Sequence, residues 1–362
     1  MDQRGRGRGG FATGESSWKL VLGGDVGGTN TSLALAWVAG RQVRLTASFR
    51  YPTPSLQDLA APLREVLAYA RERLGRSVES AVLGVAGPVS GTGRRVKLTN
   101  ADLWIDPPSL KRRLGLRHLS LLNDFVALGY GINCLRSSDL LEFPPSGRRD
   151  RAFRLAPRAA MGAGTGLGKC LLIYHPELGL HVPYPSEGGH ADFPATSPWE
   201  RELVSFLEQM GLVSGRISYE DLLSGAGLGR IYRFLRHRHP IPETPLLRRI
   251  DQAEDKAPLI SEHLDVEPLC REAFARFLEL YANCARNFAL ETLPWGGIYL
   301  AGGIVARNLA HIDGQIFRKR FEDHPRHRSL LESIPIRIVR RYEASLYGAA
   351  LAASLADSRE RS

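Results

Sequence analysis

Residues 23–35 read GGDVGGTNTSLAL, four glycines around one aspartate between an apolar run and a mixed apolar strand. Glycine weakens a strand unless the backbone needs a special dihedral or something must approach closely. Lys19 to Asp25 predicts a buried strand, Thr31 to Val38 its partner and Arg41 to Tyr51 a third strand, so the glycines sit in a hairpin. A plain Gly-Gly turn accounts for the glycines. It does not account for Asp25 at the end of an apolar strand, since a buried carboxylate needs a partner. A phosphate site accounts for both. Gly27, Gly28, Thr29 and Asn30 then offer N–H groups and a hydroxyl, and Asp25 holds Mg²⁺ through water.

A second glycine turn, GAGTGLG at 162–168, follows the apolar Ala159–Met161. It fails as a dinucleotide fingerprint, because the strand-like KCLLIYH follows where a helix is needed. It fails as a Walker A loop, because Cys170 follows Lys169. The surviving readings are a tight turn with a bulge or a hairpin whose Gly164, Thr165 and Gly166 meet phosphate oxygens. Strand Gly297 to Leu300 runs into AGGIVARN, where Gly302 and Gly303 make a strand-to-helix turn that a flat base could lie against.

Polar residues collect at other loop ends. LLNDF puts Asn123 and Asp124 after a strand and before a helix; Asp124 is a helix cap or a base for a hydroxyl proton. In SEGGHADF, Glu187 and His190 flank a Gly-Gly turn and suit a polyhydroxyl ligand, with no spacing for a metal centre. Glu220, beside Ser218, reads alone as a first-turn helix acid. Together these parts meet the needs of phosphoryl transfer: positioning, charge neutralisation and a base.

The remaining pattern is α/β. Ser55 to Leu74, Trp199 to Met210, Tyr219 to Arg236, Pro268 to Leu293 and Ala344 to Leu355 predict helices; Ala81 to Ala86, His118 to Leu122 and Ile336 to Val339 predict strands. Residues 136–158, polar, basic and broken by prolines, read as a connection into a second domain.

With 362 residues, 43% of them hydrophobic, the chain can bury two domains. No apolar stretch reaches membrane-spanning length, and the stretch before the first strand, MDQRGRGRGGFATGESSW, has no leader-like apolar core. A cytoplasmic protein is expected, with Cys134, Cys170, Cys270 and Cys284 as free thiols. The net charge of +10 comes largely from clusters at Arg4, Arg6 and Arg8, at Lys111, Arg112 and Arg113, and at Arg148, Arg149 and Arg151. They lack interleaved aromatics, which argues for solvated faces over a nucleic-acid platform.

The order of the motifs resembles one family. GGDVGGTNTSLALA, GVAGPVSG, KLTNADLW, LLNDFVALGYGI, MGAGTGLG, SEGGHADF, YEDLLSGAGL and LAGGIVARN stand as in the bacterial glucokinases, of the hexokinase-like branch of the actin-like ATPase superfamily, from about Lys19 to Leu355. The resemblance implies ATP-dependent phosphorylation of glucose at its 6-hydroxyl. Asp124 would be the catalytic base, with Asn100, Asn123, Glu187, His190 and Glu220 on sugar hydroxyls. The turns at 25–30 and 162–168 would meet the phosphates, Gly302 and Gly303 would border adenosine, and Mg²⁺ would be required. It also implies a homodimer and two ribonuclease-H-like lobes around a cleft: 19–134 with 336–357, and 135–335, after a disordered basic tail at 1–18. Lys169 departs from the family pattern; a lysine there would touch phosphate or face solvent. A sugar-sensing repressor would need a helix-turn-helix domain, for which the residues before the first strand are too few.

Overall fold

The computed structural model describes residues 18–87, 89, 95–98, 103–143, 151–239 and 241–359. Asn100 and the basic residues at 4–8 and 148–149 lie outside them.

The first sheet begins with β1 (Lys19–Val26), β2 (Asn30–Ala39) and β3 (Gln42–Pro52), an antiparallel meander. Helix α1 (Ala60–Leu74) leads to β4 (Ser80–Val85), parallel to β1. A two-stranded ribbon of β5 (Val96–Lys97) and β6 (Trp104–Ile105) and helix α2 (Pro107–Leu114) precede β7 (His118–Asn123), parallel to β4. The order is β3-β2-β1-β4-β7. Side-chain alternation sorts the two faces. Leu20, Leu22, Leu33 and Leu35 join Leu63 and Val66 of α1 in one core, while Val21, Ala36 and Val38 face away from it.

After α3 (Asp124–Ile132) the chain builds a second sheet on the same plan. β8 (Leu140–Phe143) is followed by β9 (Arg158–Ala163), β10 (Leu167–His175) and β11 (Leu180–Ser186). Helices α4 (Pro198–Gln209), α5 (Tyr219–Leu222), α6 (Gly225–Arg238), α7 (Pro245–Gln252), α8 (Ala257–Glu262) and α9 (Pro268–Thr292) come next. Then follow β12 (Ile298–Ala301), α10 (Gly303–Arg307), α11 (Gly314–Phe321), α12 (Arg328–Glu332), β13 (Ile336–Val339) and α13 (Ala344–Arg359). The order is β11-β10-β9-β12-β13-β8. Both predicted glycine hairpins are present, β1/β2 and β9/β10, at matching places in the two sheets.

Two strands fall elsewhere than the sequence suggests. Ile336–Val339 pairs with β12 and β8, so it belongs to the second sheet rather than to the first. Within 136–158, Leu140–Phe143 is that sheet's edge strand rather than a connection. Two helices differ as well. Thr53–Ser55 forms a 3₁₀ turn, and α1 starts at Ala60, whose N–H reaches the Asp58 carboxylate. The helix expected over 219–236 breaks at Leu223, because Ser224 caps a new start.

Helices α3 and α13 join the sheets. Ala349, Ala350 and Ala353 of α13 pack on the first sheet with Val21 and Val82. Leu128 and Ile132 of α3 pack on the second sheet with Ala160, Cys170 and Leu172. The two helices cross on glycines: a Cβ on Gly348 would overlap the Ala127 carbonyl, and one on Gly131 the Ala344 carbonyl.

Candidate active site

The strands that carry the site end at one edge. In β1, Asp25 lies beside Gly84 of β4, and Val85 lies beside Asn123 of β7. Asp25 and Asp124 therefore flank Gly84, whose own Cβ position would be 3.7 Å from the Asp124 Cα. The helix cap that the sequence allowed Asp124 is supplied by Asn123. Its Oδ1 accepts from the N–H groups of Phe125 (2.9 Å) and Val126 (3.3 Å), and its Nδ2 donates to the Gly87 carbonyl (3.2 Å). Asp124 accepts from the Phe125 N–H at 2.9 Å.

Burial pushes the Asp124 carboxyl up to about 7, and the nearby charges of Asp25 and Glu187 add to the rise. Burial also raises Asp25, while the Ser345 hydroxyl, donating at 2.6 Å from the start of α13, pulls it back. This contact spans 320 residues of chain. Two neighbouring carboxylates that burial and mutual repulsion disfavour as anions fit a divalent cation. Among the described residues no group of three His, Cys, Asp or Glu side chains could hold a metal alone. An ion there would be completed by water. Replacing Ser345 by Ala removes a hydrogen bond to a charged group. The expected result is divalent-cation binding weakened on the order of tenfold, with a stability loss of about 1 to 3 kcal/mol from the buried carboxylate that loses this donor; unaltered cation binding would refute this role.

The 27–30 turn is closed by Gly27 N–H to the Asn30 carbonyl (3.0 Å) and braced by Thr53, whose Oγ1 donates to the Gly27 carbonyl (2.7 Å). Asn30 Oδ1 accepts from Arg50 Nε at 3.2 Å. Gly27 and Gly28 do not take the left-handed φ that a two-glycine hairpin turn requires. A left-handed φ therefore does not demand glycine there.

The second turn divides its glycines between two tasks. Side chains on Gly162 and Gly168 would run into the Phe125 ring, so these glycines seat α3 on the sheet. Gly164, whose Cβ position is open, and Thr165 line a cavity of 830 Å³ together with Gly225, Lys256, Gly303 and Arg307. Gly302 is not part of that wall. It has φ 93°, and a Cβ there would overlap the Ala163 carbonyl. Gly27 to Asn30 do not line it either.

Glu220 is more than a helix acid. Ser218 and Asp221 form the capping box of α5, while Glu220 Oε2 accepts the Leu167 N–H at 2.7 Å. Its other oxygen lies 3.8 Å from His190 Nδ1, and His190 Nε2 lies 3.8 Å from Glu187. Asp124, Glu187, His190 and Glu220 thus gather near the 164–167 turn, and none of them lines the 830 Å³ cavity. Lys169 neither touches a phosphate site nor faces solvent. It is buried, with Nζ 4.7 Å from the Tyr219 ring and 5.2 Å from Phe288, beside the Cys284 thiol.

The family model for glucokinase matches residues 22–356. The chain belongs to the glucokinase family. The glucokinase of Nostoc sp. (strain PCC 7120) is 34% identical over 349 residues, covering 92% of this chain and 99% of that one. A glucokinase from an Antarctic psychrotroph superposes with a TM-score of 0.76 at 24% identity, over 94% of this chain and all of that one. A ROK-family glucokinase from Streptomyces griseus, solved with glucose and AMPPNP, superposes at 0.62 and 20% identity over 93% and 99%. These likenesses show that this glucokinase-family chain shares the two-sheet α/β fold of those solved glucokinases. Among the described residues no helix is long and apolar enough to cross a membrane.

Proposed function

We infer that this protein transfers the γ-phosphoryl group of ATP to the 6-hydroxyl of glucose, giving glucose 6-phosphate and ADP. Family membership supports the reaction. The observation that carries the mechanism is Asp124, freed from capping by Asn123 and raised to about 7 by burial and by the charge of Asp25. A carboxylate of that basicity takes the 6-hydroxyl proton as the oxygen attacks. Glu187, His190 and Glu220 orient the sugar by its other hydroxyls, and Asn123 keeps a second Nδ2–H for one more. Gly164 and Thr165 receive the nucleotide phosphates, and Gly303 borders adenosine. Gly27 to Asn30 close on the γ-phosphate. Asp25 would hold Mg²⁺ through water, and the ion would supply charge neutralisation for the transferring phosphoryl group.

The test is phosphorylation of a hexose panel by purified protein with ATP, with and without Mg²⁺. Turnover of glucose that disappears on chelation is expected. Glucose binding without turnover would make the protein a sensor, and neither binding nor turnover with any hexose would overturn the reading.

A further inference from the structure

Behind the loop that carries Glu187 and His190, a separate cavity of 500 Å³ lies between α4, α9 and α11. One polar stripe of α9 lines it: Arg276, Asn283, Arg286 and Asn287, at helical spacing. The opposite stripe, Phe274, Phe277, Tyr281 and Phe288, is core. Arg320 of α11 adds a third guanidinium.

The acids nearby are largely committed. Glu200 caps α4, its Oε2 accepting from the Thr196 N–H and hydroxyl and from the Ser197 N–H within 2.9 Å. One oxygen of Glu279 serves both Arg276 (3.0 Å) and Arg320 (3.4 Å). Asp323 is 3.9 Å from Arg320 and 69% exposed. Arg286 makes no ion pair among the described residues, and donates only to the carbonyls of Arg320 and Asp323. Its Nε and the Asn283 Oδ1 are buried without hydrogen-bond partners. Such groups are rare in a finished interior and call for a partner, which a ligand or a buried water supplies.

Guanidinium groups match the planar edges of a phosphate dianion. Carboxamides both donate and accept, as hydroxyls require. We propose that this cavity binds the phosphomonoester of a small polyol and that its occupancy alters glucose affinity. The link is direct: Asn287 Nδ2 donates to the Tyr219 hydroxyl at 2.6 Å, and Tyr219 precedes Glu220 and lies over Lys169. A ligand that fixes Asn287 holds Tyr219, and with it the Glu220 contact to the 164–167 turn.

Binding of glycerol 3-phosphate is measured by calorimetry with the active site filled by glucose and a non-hydrolysable ATP analogue, so this arm does not depend on turnover. One saturable site is expected. Arg276→Gln and Arg320→Gln, at the cavity rim and compared by Tm with the wild type, weaken it at least tenfold; Asp124→Asn does not. Inorganic phosphate binds at least tenfold more weakly, since it offers nothing to the asparagines. The KM for glucose, which rests on the kinase reading, shifts twofold or more with the ligand in the wild type and not in the rim variants. No binding under these conditions, equal binding by the folded rim variants, or equal affinity for inorganic phosphate would overturn the site. Binding with an unchanged KM would overturn the coupling.

Discussion

Asp124→Asn is expected to lower kcat by a factor of about 10² to 10⁴, the usual contribution of a positioned base, while glucose still binds. Asparagine keeps the size and still accepts the Phe125 N–H, so geometry is preserved and only the proton acceptor is lost. The wild-type kcat/KM rises with pH through about 7, because Asp124 works only when deprotonated. The same shift changes stability. In the folded chain Asp124 holds its proton up to about 7, whereas the unfolded carboxyl releases it near 3.8. Folding is therefore favoured by this group below about 3.8, and that contribution is lost as pH rises to about 7. Above that range the buried anion costs roughly 2 to 4 kcal/mol, which the amide does not. The variant thus loses activity yet gains a few degrees in Tm at pH 8, with no gain near pH 4. A Tm that falls equally at both pH values would show that the substitution damages the fold, and the base assignment would lose its support.

That result would rest on residues whose local pattern is informative. Asp25, Asn123, Asp124 and the two glycine hairpins are legible because each stands where an apolar run stops, and a strand end is a local signal. Their partners are not local. Ser345 reaches Asp25 from the last helix, Thr53 braces Gly27 from beyond the second strand, and Phe125 is what Gly162 and Gly168 make room for. No window of sequence contains both members of these pairs. Lys169 misleads for the same reason: beside a glycine turn it reads as touching phosphate or facing solvent, and only the fold brings Tyr219 and Phe288 around it. The break at Leu223 was visible in principle, since Ser224 stands ahead of Gly225 and Gly227 in an otherwise helical run. Its purpose is tertiary: the Gly225 N–H freed by the new helix start donates to the Gly164 carbonyl at 2.8 Å and fixes the turn at the 830 Å³ cavity.

The second large effect is expected at Gly348, far from any reacting atom. Glycine to alanine within an exposed helix stabilises by up to about 1 kcal/mol, because alanine is the better helix former. At Gly348 the sign should reverse. The added methyl falls on the Ala127 carbonyl of α3, a backbone atom that no rotamer change can move aside. The helices must part, and overpacking against backbone costs about 3 kcal/mol or more. The parting also reaches the chemistry from both sides. Helix α13 carries Ser345 and its hydrogen bond to Asp25, and α3 begins at Asp124. Gly348→Ala should therefore lower the denaturation midpoint and, in the protein that remains folded, reduce kcat/KM more than Ser345→Ala does. The two losses are read separately, by urea titration and by kinetics well below the transition. If alanine stabilises the protein, the α3–α13 crossing is not the tight joint between the sheets described above. If stability falls while the folded fraction keeps full activity, the joint holds the sheets together without positioning Asp25 and Asp124.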